Sequence, residues 1–159
     1  MAKAYLAKGV ETTALQSLAR AAKLAPGNAD IQFLQGLIHL RRGENKEAME
    51  RFDAAIRLEP KHSQAHLKRG DIFFSRGKLK DALKAYTLSV ASDRGNVDAL
   101  LQIGRTYLLA KRPDKAAATL EKAVRLDHDN AWALFYLGQA QYQLKQFEKA
   151  VVSLHTALR

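Results

Sequence analysis

The sequence predicts an all-α fold, a solenoid in which one helical hairpin is stacked repeatedly along an axis. Glycines recur at intervals of 34 residues, and alanines keep the same interval in a second register. These residues are Gly36, Gly70, Gly104 and Gly138, together with Ala14, Ala48, Ala82, Ala116 and Ala150. A fixed period of this length is typical of units that bury their apolar faces against their neighbours. Apolar residues recur at helical spacing inside each period, so we expect helices and a function carried by the stacked surface.

The repeat register divides the chain into three complete units and two partial ones. The complete units span 29–62, 63–96 and 97–130, and the partial units span 1–28 and 131–159, within a single array over 1–159. Each complete unit contains two apolar-periodic stretches of about a dozen residues, the usual length of a helix. A break near Gly43, Gly77 or Lys111 separates the two stretches, which predicts a hairpin. Lys111 takes a turn position that two other units give to glycine, so it must adopt the turn without glycine's conformational freedom.

Close packing between the two helices of a hairpin explains why glycine recurs in the first helix. Glycine inside a helix costs up to about 1 kcal/mol relative to alanine, so its recurrence indicates a compensating close approach. We expect Ala48 and its equivalents on the second helix to be the residues that approach it. The second helix also carries large and small residues three positions apart, on one face. These pairs are Leu18 and Ala21, Phe52 and Ala55, Tyr86 and Ser89, Leu120 and Ala123, and Leu154 and Ala157.

The combined pattern resembles the tetratricopeptide repeat over essentially the whole chain. The resemblance rests on small residues at the eighth, twentieth and twenty-seventh positions of the unit, on large ones at the eleventh and twenty-fourth, and on Pro26 and Pro60 at the thirty-second. It implies a right-handed superhelix whose concave wall is formed by the first helices. It also implies a noncatalytic scaffold for protein–protein interaction that binds a peptide or helix of a partner in this groove.

The resemblance places a stripe of apolar side chains along the groove, with polar side chains at a few positions. The residues expected to contact a partner are Phe33, Leu37, Leu67, Asp71, Phe74, Leu101, Arg105, Leu108, Phe135, Gln139 and Tyr142. The alternative for several of them is packing against adjacent helices. Asp71 and Arg105 share one position in adjacent units, where we expect a polar pair. The subset of the family that grips a C-terminal carboxylate uses Lys and Asn where this chain has Phe33 and Leu37, which argues against this carboxylate-clamp binding of chaperone tails.

Lysine and arginine outnumber aspartate and glutamate by 26 to 16, which gives a net charge of +10. Part of this excess lies in the turns between the two helices of successive units, where stacking would align it into a positive edge. This basic edge comprises Arg41, Arg42, Arg76, Lys78, Lys111, Arg112 and Lys145. It favours an acidic partner and leaves open a second function, that of a basic array that binds nucleic acid or an anionic membrane.

The sequence contains no recognisable pattern of catalytic, cofactor-binding or metal-binding residues. Cysteine is absent, and the glycines belong to the repeat, so none forms a phosphate-binding loop. His62 and His66 have the spacing of two ligands on one helical face, but a predicted turn intervenes. We therefore expect no catalytic residue, no cofactor and no metal. A further alternative is a region that recruits partners or substrates within a larger enzyme.

The two ends of the array look unfinished in the repeat register. The chain begins within a first helix and stops within a second helix, where Val151, Leu154 and Leu158 would lie bare. We expect part of a longer array, and end-to-end self-association of the isolated piece. No leader and no apolar span of membrane length occurs, so we expect a soluble chain and leave its compartment open.

Overall fold

The structure, a computed structural model, describes the backbone of residues 2–159 and the side chains of residues 9–159. Met1 and the side chains of residues 2–8, which belong to the partial unit expected at 1–28, lie outside the described residues. Nine helices occupy the described range. They are α1 (Ala2–Leu24), α2 (Ala29–Arg41), α3 (Asn45–Leu58), α4 (Ser63–Ser75), α5 (Leu79–Ser92), α6 (Val97–Leu109), α7 (Pro113–Leu126), α8 (Ala131–Gln143) and α9 (Phe147–Ala157).

The helices pack as a series of antiparallel hairpins, each against the next. The pairs α2–α3, α4–α5, α6–α7 and α8–α9 form the hairpins, and contacts between α3 and α4, α5 and α6, and α7 and α8 join them. The core follows this order, as buried side chains of one hairpin meet those of the next. The predicted fold class, a right-handed α-solenoid of stacked hairpins, is confirmed.

The turn inside each hairpin places one residue in the left-handed region of the backbone. The φ values are +76° at Gly43, +70° at Gly77, +54° at Lys111 and +60° at Lys145. The predicted turn at Lys111 is therefore confirmed, and Lys145 adopts the same conformation one unit later. This conformation costs a lysine about 1 kcal/mol or more, and the packing of the two helices offsets that cost.

Helix α1 departs from the hairpin pattern. Gly9 stands one repeat length before Gly43, yet α1 continues through it, so the residues before Gly9 form no separate first helix. The repeat register has the chain begin within a first helix, and the hairpin turn that this register implies near Gly9 is absent from the described backbone. A Cβ placed at Gly9 would meet nothing within 4 Å, whereas the glycines inside the packed first helices face a neighbouring side chain.

The glycines of the first helices pack most closely against large side chains of the second helices. A Cβ on Gly36 would lie 2.5 Å from the ring of Phe52, and a Cβ on Gly70 would lie 2.4 Å from the ring of Tyr86. Leu120 and Leu154 stand in the same relation to Gly104 and Gly138. The expected approach of Ala48 and its equivalents is seen at Gly138, where the backbone oxygen of Ala150 would lie 3.3 Å from the Cβ. The missing side chain therefore makes room first for a ring or a leucine at the twenty-fourth position.

The last residue of each unit caps the first helix of the next unit, a feature that the sequence analysis did not anticipate. Side-chain oxygens of Asn28, Asn96 and Asn130 accept hydrogen bonds from backbone amides in the first turn of α2, α6 and α8. His62 does the same for α4 through Nδ1, which accepts from the amide of Ala65 at 3.2 Å. Asparagine is a preferred N-cap because its oxygen satisfies amides that have no partner inside the helix. These caps fix where each first helix begins.

Candidate interaction surface

Two clefts lie on the surface formed by the first helices α2, α4, α6 and α8, which we call the first-helix surface. The larger, the apolar cleft, has a volume of about 720 Å³ and lies between α1 and α2. It is lined by Ala14, Ser17, Leu18, Leu34, Leu37, Ile38, Leu40, Arg41 and Lys68. The smaller, the Arg105 cleft, has a volume of about 360 Å³ and is lined by Leu101, Gln102, Arg105, Trp132 and Tyr136. Clefts that combine apolar walls with a few polar groups are the usual form of a binding site.

Two residues predicted to contact a partner lie in the core. Leu67 is 3% exposed and packs with Tyr86 and Ile103, and Leu108 is 9% exposed and packs with Leu137. Each is covered in part by the following hairpin, Leu67 by Ile103 of α6 and Leu108 by Leu137 of α8. A partner could touch only the small exposed fraction of each of these two side chains.

The other apolar residues of the predicted groove remain partly or fully accessible. Phe33, Leu37, Phe74 and Leu101 are half-buried against the core while part of each side chain stays exposed. Phe135, Gln139 and Tyr142 on α8 are exposed. The apolar stripe is therefore continuous in sequence register, but its exposure increases towards α8.

The two charged groove residues bind different partners, which corrects the expected pair between Asp71 and Arg105. Asp71 accepts a hydrogen bond from the hydroxyl of Tyr86 at 3.0 Å through Oδ1, and its Oδ2 lies 3.1 Å from Nζ of Lys68. The guanidinium of Arg105 instead lies over the ring of Phe74, 4.6 Å from its centroid. Burial, followed by the nearby charge of Asp71, raises the pKa of Tyr86 far above its usual value, so its hydroxyl stays a donor.

An aromatic group on α8 borders the Arg105 cleft. The rings of Trp132 and Tyr136 are stacked, with centroids 6.1 Å apart, and Phe135 meets both rings edge to face. Trp132 is 64% exposed. Trp132 and Tyr136 are not among the residues singled out as partner contacts, although the resemblance to the tetratricopeptide repeat places both positions on the groove and their spacing of four along a helix indicates that they meet.

The basic edge is partly neutralised at one end, where one carboxylate pairs with two arginines. Arg41 donates to Oε1 of Glu11 from Nε at 2.9 Å and from Nη2 at 2.7 Å, and Nε of Arg42 donates to Oε2 at 3.2 Å. The hydrogen bond from Arg41 is the main cause that holds the pKa of Glu11 below its usual value, so this carboxylate stays ionised at neutral pH. The remaining members of the edge, Arg76, Lys78, Lys111, Arg112 and Lys145, are exposed.

Sequence comparison decides the family. Models of the tetratricopeptide repeat match the chain, one over residues 1–56 and 45–97 and another over residues 73–129 and 108–159. The chain belongs to the tetratricopeptide repeat family. Among curated proteins, none matches the sequence.

Solved structures share the tetratricopeptide fold at low sequence identity. A crystal structure of MamA has a TM-score of 0.83 at 22% identity, and the match covers 96% of this chain and 89% of that one. MamA 41-end from Desulfovibrio magneticus RS-1 has a TM-score of 0.79 at 21% identity, with 98% and 88% covered. A structure of PilF from Pseudomonas aeruginosa has a TM-score of 0.85 at 17% identity, with 98% and 71% covered. At these identities the likeness concerns the fold.

Tetratricopeptide repeats generally act as protein-interaction scaffolds, and this coarse role applies to the chain. The two histidines with ligand-like spacing serve the fold: His62 caps α4, and Nε2 of His66 lies 2.9 Å from the carbonyl oxygen of Pro60. No group of three metal-ligating side chains converges in the described part of the chain. From residue 2 onwards, none of the helices is sufficiently long and apolar to cross a membrane.

Proposed function

We propose that the chain binds a segment of a partner protein, either an extended peptide or a helix, on its first-helix surface. The observation that carries the proposal is the presence of two clefts on this one surface, the apolar cleft and the Arg105 cleft. Leu34 is 45% exposed beside the first cleft and Trp132 is 64% exposed beside the second. Large apolar side chains anchored in pockets supply most of the binding energy of such segments.

Of the two alternatives, one uses the same surface and the other uses the basic edge. A partner-recruiting region of a larger enzyme would use the same first-helix surface, so that alternative differs in what the partner does and not in how it is held. Binding to nucleic acid or to an anionic membrane would depend on the basic edge, which keeps the exposed residues from Arg76 to Lys145 but loses free charge at Arg41 and Arg42. The geometry of the clefts favours a protein segment.

We expect substitutions at the two clefts to weaken binding of peptides selected on the wild-type protein. Random linear peptides displayed on phage provide the probe, and synthetic versions of selected peptides are titrated by fluorescence polarisation. Leu34→Asp and Trp132→Ala each remove an exposed apolar contact, so the dissociation constant should rise about tenfold or more for peptides that occupy that cleft.

The matched control is Leu88→Asp, because Leu88 has a similar exposure of 48% but lies on the second helix α5. Binding by this variant should equal that of the wild type, and all three variants should keep the wild-type melting temperature. Selected peptides that bind equally well to both cleft variants, or a library that yields no binders, would contradict the proposed function.

A second proposal concerns the end of the array, where α8 and α9 expose an apolar end face. Val151 is 67% exposed and Leu158 is 87% exposed. Leu158, Leu154 and Phe135 line a cleft of about 450 Å³ on this face. In the preceding hairpin the residue equivalent to Val151 is Ala117, which is only 7% exposed because it packs against α8. The apolar cleft beside α1 lies at the other end of the solenoid. We propose that the α1 side of one copy packs against the apolar face of α8 and α9 of another copy. This is a head-to-tail contact.

Sedimentation velocity over a concentration series tests this association. The wild-type chain should show a mass that increases from 17.7 kDa with concentration, and the pair Val151→Asp with Leu158→Asp should remain at that mass. Leu58→Asp, at a residue 43% exposed on α3, is the control and should associate like the wild type. A wild-type protein that stays monomeric at every concentration refutes the head-to-tail contact.

A further inference from the structure

Arg105 differs from the other cations on the first-helix surface in having no carboxylate partner. Arg41 is bound by Glu11, and Lys68 is bound by Asp71. Among the described residues, no Asp or Glu lies within ion-pair distance of Arg105, and its recorded contact is the ring of Phe74 at 4.6 Å. The half-buried guanidinium is close enough to Tyr86 to lower the pKa of that hydroxyl, against the larger effects of burial and Asp71, but it has no direct ion pair among the described residues.

The contact with Phe74 leaves the hydrogen-bonding groups of Arg105 available. The guanidinium attracts the ring through its charge, and its N–H groups donate no hydrogen bond to the described residues. Arg105 lines the Arg105 cleft together with Gln102, Trp132 and Tyr136. An arginine presented in this way is suited to a carboxylate, which accepts two parallel hydrogen bonds from it.

The aromatic side of the Arg105 cleft determines which kind of residue stands next to that carboxylate in the partner segment. Trp132 and Tyr136 are stacked on α8 and expose ring surface beside Arg105, and Leu101 adds an aliphatic wall. Such a wall binds an aromatic or large aliphatic side chain, because burying apolar surface is favourable. Gln102 supplies both a donor and an acceptor for the backbone of a bound segment.

We infer that the Arg105 cleft selects an acidic side chain, Asp or Glu, that lies next to an aromatic or large aliphatic residue in the partner segment. This inference rests on the proposed function and specifies the chemistry of its ligand. Arg105 pairs with the acid, and Trp132 and Tyr136 hold the apolar neighbour. The net charge of +10 assists the approach of an acidic segment.

A nucleic acid fits the same surface less well. Single-stranded nucleic acid requires a row of cations that follows its backbone together with aromatic platforms. The first-helix surface instead carries exposed Asp30 and Asp98, at the second position of their units, and half-buried Asp71 at the ninth position of its unit, and Lys68 is already paired with Asp71. One unpaired arginine suits one carboxylate, whereas the nearby aspartates would repel a chain of phosphates.

Selection of random linear peptides on wild-type and variant proteins tests the inference. In display on phage the peptide C-terminus is fused, so a carboxylate comes only from a side chain. The wild type should enrich Asp or Glu beside Phe, Trp, Tyr or Leu, Arg105→Gln should lose this preference, and Arg105→Glu should enrich Lys or Arg instead. Replacing the acid by its amide in a synthetic peptide should weaken binding to the wild type about tenfold, the effect of one charge-assisted hydrogen bond, and leave binding to Arg105→Gln nearly unchanged.

Two controls separate recognition from damage to the fold. Arg112→Glu makes the same charge reversal at an exposed residue of the basic edge, and this variant should keep the wild-type preference for acids. Each variant should also keep the wild-type circular dichroism spectrum. The reversed preference of Arg105→Glu is informative in itself, because a merely destabilised protein would lose binding without changing the charge that it selects.

The possible results distinguish this inference from the proposed function. Binders without acid enrichment that bind wild type and Arg105→Gln equally would overturn the inference and leave segment binding intact. A library that yields no binder on any protein would overturn both. A single-stranded oligonucleotide could also compete with the peptide. If Arg105→Gln weakened oligonucleotide binding more than peptide binding, the inference would be overturned in favour of nucleic acid.

Discussion

Replacing Gly70 by Ala should lower the free energy of unfolding by about 3 kcal/mol, at the upper end of the usual effect of overpacking a core. The new Cβ would lie 2.4 Å from a ring carbon of Tyr86. Tyr86 is fully buried, and its hydroxyl is bound to Asp71 at 3.0 Å, so the ring has little freedom to move aside. The two helices of the hairpin must then separate. Chemical denaturation followed by circular dichroism measures the change.

Gly9→Ala is the matched control for Gly70→Ala. Gly9 is also a helical glycine, but a Cβ there would meet nothing within 4 Å. Alanine should therefore stabilise α1 by roughly 0.5–1 kcal/mol through its higher helix propensity. The same substitution is thus expected to act in opposite directions at two glycines. If Gly70→Ala lowered the free energy of unfolding no more than Gly9→Ala does, the close approach to Tyr86 would not govern the packing of the hairpin.

Replacing Leu120 by Ala should lower the free energy of unfolding by about 3 kcal/mol, because truncation of a buried leucine removes apolar contacts and leaves a cavity. Leu120 is fully buried in the cluster that joins α6, α7 and α8. Leu126→Ala on the same helix is the control, since Leu126 is 51% exposed and should cost less than about 0.5 kcal/mol. A similar loss for both variants would contradict the placement of Leu120 at the centre of the hairpin.

The same measurement on the double variant Gly104→Ala with Leu120→Ala tests the packing of glycine against the twenty-fourth position directly. The Cβ at residue 104 would lie 2.4 Å from Cγ of Leu120, an atom that the second substitution removes. The double variant should therefore lose at least about 1 kcal/mol less than the sum of the two single variants. Additive losses would indicate that the two residues do not share this space.

The sequence was sufficient to predict that glycine recurs for close packing, but not which side chain it accommodates. The period identifies Ala48 and Phe52 as recurring positions on the second helix without showing which one lies opposite Gly36. That choice depends on the axial offset and crossing angle of two helices, which spacing along one chain does not specify. The structure places the ring of Phe52 there.

The sequence predicted which positions of the repeat form the candidate surface, but not which residues at those positions are exposed to solvent. Leu67 and Leu108 satisfy the same pattern as Phe74 and Leu101, yet the first two are buried by the next hairpin. Exposure follows from the rotation between successive hairpins and from the size of each neighbour. The aromatic wall at Trp132 was accessible to sequence reasoning only as a helical spacing of aromatic residues.

The sequence by itself determined the repeat length, the helical class and the positions of the turns, because these follow from spacing and from local backbone preference. The left-handed turn at Lys111 is a clear case, since its place in the period required that conformation. Only the tertiary structure decided which charges remain available to a partner. Glu11 pairs with both Arg41 and Arg42 about thirty residues away, and Asp71 pairs with Lys68, so that Arg105 has no ion pair among the described residues. Ion pairing depends on distance in space, which the packing of separate helices sets.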